Sequence, residues 1–468
     1  MSSNNSYSFL YYKTWLKTYW IKRYIYIETI NYSSLVFMKD KLKKVLSPRY
    51  YKYIKKIVLC IHKCFYYPLV WIQYYRYRII LNKLKKKQRI NVAFFVLNRA
   101  IWKYDYLYRL MLDHPRFNPF IVVCPIVNYG REHMLSVMGN TYNFFIDKGY
   151  KTIKTFNEQT NTYLDVRNEL DIDIIAYTNP YKGLIHDKYY ILKFLDKLTL
   201  YVSYFFRSST DQGYTKQPLI NLVWTFFVES EFHKEYNRPH IPIRSKNAVV
   251  TGYLGADVFL EKRDVKGFDW KIKDGNLKKI IWAPHHSILD TEKPHFSCFL
   301  LYYDFMIEIA KKYCDKVQFV FKPHPLLRPK LETLWGKNLV DSYYDQWANM
   351  PNTNFVDGEY IDLFLSSDAM IHDCDSFITE YMYTRKPVMR TEFGYNLEEE
   401  FHEFTLKCLD AYYHAYSKED IIAFVEGVID GNDPKKDDRE KYFENYLKPP
   451  YGDTASETAF NYLLTNLS

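Results

Sequence analysis

The chain has few cysteines, and none are paired by spacing. Its seven, at positions 60, 64, 124, 298, 314, 374 and 408, are odd in number and scattered. No CxxC pair and no His/Cys metal-ligand spacing occurs, which excludes a disulfide framework and fits a reduced, cytosolic compartment. Cys60 and Cys64 are spaced for one helix face, where packing is their expected role. A long uncharged apolar run is also missing. The most apolar part, Ile57 to Tyr75, carries His62 and Lys63 near its middle and Pro68 within it, so it reads poorly as a transmembrane helix. No apolar core followed by a small-residue cleavage site marks a signal peptide. Internal repeats are absent as well.

Acidic residues are scarce at one end only. Residues 1–89 hold 20 Lys/Arg against two Asp/Glu, whereas the remainder holds 44 against 52. The net charge of +10 therefore belongs to an N-terminal segment, which points to an anionic surface as its partner. That segment interleaves Lys13, Lys17, Lys22 and Arg23 with Trp15, Trp20 and many tyrosines, and it ends in the basic cluster "NKLKKKQR". Mixed aromatic, aliphatic and basic residues suit helices lying in a membrane interface, with clustered bases attracting anionic lipid. Two other readings are a nucleic-acid contact and a basic helix packed on its own domain. No nucleic-acid module is recognisable, so the expectation is a peripheral protein on the cytoplasmic face of a membrane, without nucleic acid. High aromatic content, 19% with 47 Tyr and 32 Phe, fits a compositional bias of the source.

From residue 90 the pattern alternates. Strands are expected at Asn91–Leu97, Phe120–Cys124, Ile172–Tyr177, Leu200–Phe205, Trp224–Val228 and Asn247–Thr251, with a helix over Trp102–Leu112. A polar, glycine-containing linker at 261–279 follows. Further strands are expected at Ile280–Ala283, Gln318–Phe321, Asn354–Val356, Ala369–Ile371 and Pro387–Arg390, with helices over His295–Tyr313, Ile361–Ser366 and Phe377–Tyr383. This alternation predicts an α/β protein of two doubly wound halves facing a cleft, 90–262 and 263–468, behind the helical extension 1–89.

Three stretches of the second half should meet at the carboxyl edge of its sheet. "FVFKPHPLLRP" runs a buried strand into Lys322, His324 and Arg328, with Pro323, Pro325 and Pro329 stopping helix and ladder. "IIWAPHHSI" ends a strand at Ala283 and continues into His285 and His286. "LFLSSDAMIHDCDSFITEYMYTRKPVM" feeds His372–Ser376 into a helix that Asp375 or Ser376 is suited to cap, with Thr379 and Glu380 in its first turn. Cations, imidazoles and a helix N-terminus at that edge suit a phosphate-bearing ligand.

Together these stretches resemble the CDP-glycerol glycerophosphotransferase family of bacterial teichoic acid and capsule synthesis. The matching segments are "WAPHHS", Lys322–Pro325, and Ser367, Asp368, Ile371, Asp373, Ser376, Tyr381, Lys386 and Pro387 of the third stretch. Ser230, Glu231, Phe232, Thr251, Gly252, Tyr253 and Asp257 match the region between the halves, so the resemblance spans roughly residues 220 to 395. It implies a GT-B fold, a CDP-linked donor in the second half and a lipid-linked glycan acceptor on the first. By the same resemblance His324 belongs to the catalytic set, and Ser376 with its helix N-terminus holds the diphosphate.

This sequence departs from the family in two ways. The family's first-half "WHG" histidine is absent, and the corresponding zone offers Tyr204, Arg207, Asp211 and Tyr214. The family's Tyr-Ser-Ser loop here reads Cys374-Asp375-Ser376.

Transfer to a hydroxyl needs charge neutralisation, alignment and a proton acceptor. Lys322, Arg328 and the helix head at Asp375, Ser376 and Phe377 are candidates for the donor phosphates. His324 is the candidate acid/base, with His285 and His286 assisting. Asp373 would orient a histidine, and Glu380 or Asp375 would hold the ribose. No motif calls for a metal or a cofactor beyond the donor. A glycosyltransferase using a nucleotide sugar fits the same architecture; a non-catalytic membrane or RNA-binding protein fits the N-terminal segment alone.

Overall fold

A computed structural model of the chain describes residues 48–468, apart from 209, 211–212, 262–266, 274, 290–295, 359, 393 and 395–396. The earliest basic and aromatic stretch, Lys13 to Arg23, lies outside the described residues, as do Asp211 and His295.

Short apolar runs flanked by turn residues become two parallel sheets. The first contains β1 (Ile90–Val96), β2 (Phe117–Val123), β3 (Thr152–Lys154), β4 (Ile174–Tyr177), β5 (Leu198–Val202), β6 (Thr225–Val228) and β7 (Ala248–Val250). Its spatial order is β3-β2-β1-β4-β5-β6-β7, parallel throughout. The second contains β8 (Lys278–Ala283), β9 (Val317–Phe321), β10 (Thr353–Phe355), β11 (Ala369–His372), β12 (Val388–Thr391) and β13 (Tyr413–Ala415), ordered β10-β9-β8-β11-β12-β13 and again all parallel. Both sheets are doubly wound, as the alternation predicts. In each the winding reverses beside the first strand, so the second sheet's switch point lies between β8 and β11. A crevice opens at the carboxyl ends of strands at such a point.

Helices cover both faces. The basic segment before β1 forms one helix, Pro48–Leu84, with Pro68 inside it. Its later half joins the first half's cores through Tyr66, Leu69, Val70 and Tyr77, while Tyr50, Tyr53, Phe65 and Tyr67 are exposed. The Tyr77 hydroxyl donates to the Leu222 carbonyl at 2.6 Å and lies 2.8 Å from Thr199 Oγ1. Tyr77→Phe leaves both groups short of a partner inside the core. A loss of about 1–3 kcal/mol is expected in urea unfolding, and an unchanged midpoint would show that the helix is only loosely docked.

The last helix, Ala455–Leu467, crosses back to the first half and packs Ala455, Ala459, Leu463 and Leu467 against β1 and its neighbours. Asp257 receives the Ala455 and Ser456 N–H groups at 2.8 and 2.9 Å, fixing the start of that helix. Gly252 has φ 89° and an added Cβ would meet Ala455 Cβ at 3.2 Å, so a side chain there is disfavoured twice. These two positions of the "TGYLGAD" segment therefore tie the halves together.

Candidate active site at the switch point of the second sheet

Register places the three predicted stretches side by side. Trp282 pairs with Phe321 and Ile371, and Ala283 pairs with His372, so β8, β9 and β11 end level. Beyond them the loops are stitched by backbone bonds. Lys322 N–H donates to Trp282 O at 2.8 Å, and His324 N–H to Pro284 O at 3.0 Å. Asp373 accepts the His285 backbone N–H on Oδ1 and the Cys298 N–H on Oδ2, the latter at 2.7 Å. Asp373 was expected to orient an imidazole; its carboxylate instead holds the backbone that carries His285. Burial pushes its pKa up to about 6.

The result is a compact trio of imidazoles. Ring centroids of His285 and His286 are 4.2 Å apart, those of His286 and His324 4.3 Å, and those of His285 and His324 5.4 Å. One ring nitrogen from each lies within 4.8 Å of the others, a spacing that a metal ion could also use. The hydrogen bonds decide between cation and anion. His324 Nδ1 accepts from Leu326 N–H at 3.1 Å, and His285 Nδ1 accepts from Ser287 N–H at 3.2 Å. His286 Nδ1 receives the Lys330 ammonium at 2.7 Å. A metal-ligating histidine normally donates its second ring N–H; here each Nδ1 accepts, which leaves the proton on Nε2. Three Nε2–H donors suit an anion.

The electrostatics agree. Burial pushes His285 down to about 3, with His286, His324, Lys330 and Arg390 adding to the shift. Burial likewise brings His324 to about 4, reinforced by His286, Lys322 and Lys330. His285 and His324 are thus neutral donors in a positive field at neutral pH. Lys322 is buried at the end of β9, with its ammonium 6.0 Å from the Tyr360 ring centroid. Tyr360 donates to Glu380 Oε2 at 2.6 Å. Glu380 is buried, Phe377 is partly buried against Phe364 and Tyr360, and Ser376 is exposed at the head of its helix.

Several expectations change. Arg328 ion-pairs with Glu332 at 3.3 Å and Asp341 at 2.5 Å, over the Tyr344 ring, rather than with the histidines. Lys330, two residues on, takes the place beside His286. Pro329 does not end a helix but sits in the first turn of Leu327–Trp335, where its missing N–H costs nothing. The Asp375–Met382 helix is preceded by Cys374, and no side chain caps it, so neither Asp375 nor Ser376 serves as its cap. Other residues of the third stretch build scaffold. Ser367 Oγ meets the Tyr381 hydroxyl at 2.8 Å, Asp368 receives Lys279 N–H at 2.8 Å, and the Lys386 ammonium donates to the Phe364 and Leu365 carbonyls at the end of Ile361–Ser366.

Sequence reasoning missed Lys330, Arg390 and Ser208. Arg390 is buried at the end of β12 and ion-paired with Glu392; its charge reaches His285, Asp373 and Asp375. Ser208 enters from the first half. Its carbonyl accepts the Thr405 hydroxyl at 2.8 Å, and Thr210 N–H donates to Glu400 O at 3.2 Å. The neighbouring first-half candidates are structural. Arg207 is buried against Glu229, and Tyr214 is buried with its hydroxyl 2.8 Å from that of Tyr201. Tyr204 is partly buried, and burial raises its pKa far above the ordinary tyrosine value.

No family model matches the chain, and no curated protein matches it in sequence. Solved structures do match. UDP-GlcNAc 2-epimerase from Neisseria meningitidis, solved with UDP-GlcNAc, shares 16% identity at TM-score 0.54, over 81% of this chain and 100% of the epimerase. The wall teichoic acid polymerase TagF shares 11% identity at TM-score 0.53, over 89% of this chain and 96% of that one. The fold is GT-B-like. At these identities only the overall architecture carries over to this chain.

Proposed function

We propose that this chain is a phosphotransferase that moves glycerol phosphate, or a related polyol phosphate, from a CDP-linked donor to a hydroxyl of a lipid-linked cell-surface glycan, releasing CMP. The observation that carries this reading is the convergence of His285, His286 and His324, as Nε2–H donors, with Lys322 and Lys330 at the switch point of the second sheet. Such donors neutralise charge on a leaving phosphate without reorganising as it forms. The choice of a CDP-linked polyol over other donors follows from the motif resemblance and is consistent with the architecture shared with TagF. A nucleotide-sugar donor is the second reading, favoured by the epimerase at TM-score 0.54, whose structure holds UDP-GlcNAc.

Phosphorus NMR on the protein with CDP-glycerol and a lipid-linked acceptor tests the assignment. CMP appearing only when both are present is the expected result. A nucleoside diphosphate released from a sugar donor instead would replace the first reading by the second.

The acceptor also sets a location. No helix among the described residues is long and apolar enough to cross a membrane. The exposed Tyr50, Tyr53, Phe65 and Tyr67 beside exposed Lys56 and Lys63 suit peripheral docking on an anionic cytoplasmic leaflet. Sedimentation with phosphatidylglycerol vesicles, lost in high salt, is expected; equal binding to neutral vesicles would remove the electrostatic part of this account.

A further inference from the structure

The transfer needs a proton acceptor for the attacking hydroxyl, and the three histidines are unsuited to it because their Nδ1 atoms are already engaged and their Nε2 atoms carry protons. The first half supplies no histidine in the loop after β5. A different pair of atoms stands ready. Among the described residues, Oδ1 of Asp375 and Oγ of Ser208 are both buried and neither makes a hydrogen bond. They come from opposite sides of the junction: Ser208 from the first half, Asp375 from the head of the helix that follows β11. The serine hydroxyl is close enough to draw the Asp375 pKa down. Asp375 is not spent on capping its helix. The two are near neighbours without a full hydrogen bond between them, and a hydroxyl placed against both would satisfy the acceptor and the serine oxygen together.

Resting on the phosphotransferase reading, we propose that Asp375 is the general base of the reaction, and that Ser208 positions the acceptor hydroxyl against it. That hydroxyl donates to Asp375 Oδ1 and accepts from Ser208 Oγ. Its oxygen then bonds to the phosphorus of the polyol phosphate while the bond from that phosphorus to the bridging oxygen breaks. The electron pair leaves with CMP, and the proton passes to Asp375. The groups facing Asp375 fit a base that works near neutrality. Burial pushes it up to about 6 and Glu400, from the short helix beyond β12, adds to this, while Arg390 from β12 and Ser208 from the first half pull it down. It is thus ionised at pH 7 yet basic enough to take a proton.

Asp375→Asn keeps the shape and removes the proton acceptor. The expected result is a fall in kcat of about 10²-fold or more, with donor KM little changed. Wild-type kcat/KM should fall below a pH of about 6, the value to which both Asp375 and Asp373 are raised, and in the Asn variant only the Asp373 part of that limb should remain. Ser208→Ala should raise acceptor KM and keep the limb, which also guards against a misfolded Asn variant. Asn activity within about threefold of wild type overturns the assignment. The same ratios are measured with whichever donor the wild type turns over. CMP release from CDP-glycerol with an unaffected Asn variant would refute the base and leave the phosphotransferase. Turnover of a nucleotide sugar with a crippled variant would refute the phosphate donor and keep Asp375 as base to the acceptor. No wild-type turnover with either donor refutes both.

Discussion

Replacing Lys322 by Met lowers kcat by about 10²–10³-fold. The residue is buried at 4% exposure, yet it is charged and sits at the end of β9, where an apolar side chain would be the ordinary tenant. Its backbone is fixed by the bond to Trp282 O, so the side chain leaves the strand in one direction. Its charge bears on His324 and on Cys374, the residue before the Asp375–Met382 helix. An ammonium held between an imidazole trio and a helix N-terminus contributes most when negative charge develops there, which makes its effect fall on turnover more than on folding. Met keeps the stem and removes the charge, so the thermal midpoint should move little. A variant with a lowered midpoint and unchanged kcat would show that Lys322 supports Tyr360 and nothing more.

The strand ends were legible because buried parallel strands are short apolar runs, and His285, Lys322 and Asp373 follow three of them directly. Strands β3 and β13 were not, because Thr152–Lys154 and Tyr413–Ala415 hold no two apolar aliphatic residues in a row. Arg328 misled for a related reason. Sequence places it next to a phosphate-like loop, but it falls in the first turn of a helix whose partner helix offers Asp341. Lys330 lies six positions past His324 with no motif to mark it, and the Leu327–Trp335 helix brings it back to His286. The pair Asp375 and Ser208 could not be read at all, since 167 positions separate them and only the docking of two domains brings them together. The departure from the family's Tyr-Ser-Ser loop was the available signal; it marked Asp375 as unusual without saying what faced it. The structure also divides the motif residues by task. Asp257, Ser367, Asp368, Tyr381 and Lys386 hold helix ends and strand starts, which explains why such polar residues sit in a motif without reaching the imidazoles.

Arg207→Ala should cost about 3–5 kcal/mol of stability, because it strands a buried carboxylate. Arg207 donates to both oxygens of Glu229, at 2.9 and 2.5 Å, and to Asn237 at 2.9 Å, between the rings of Tyr214 and Phe226. Burial alone would raise the Glu229 pKa; the Arg207 charge outweighs it and holds Glu229 at about 2. A carboxyl lowered on folding contributes stability that is present above its ordinary range near 4.5 and lost as pH falls through 2, so the pair is intact at neutral pH. The backbone is gripped from both halves. The Arg207 carbonyl accepts His233 Nε2–H at 3.0 Å and His402 Nε2–H at 2.7 Å, one histidine from each side of the junction. Losing the side chain therefore loosens the segment that carries Ser208, and acceptor KM should rise in any Ala variant that still folds. Urea unfolding of Arg207→Ala beside the double variant Arg207→Met/Glu229→Leu separates charge from packing. The double variant should recover most of the loss, because an apolar pair removes the stranded carboxylate along with the arginine. If instead the single variant is as stable as wild type, Glu229 has found water or protonation cheaply, and the junction is looser than its hydrogen bonds imply.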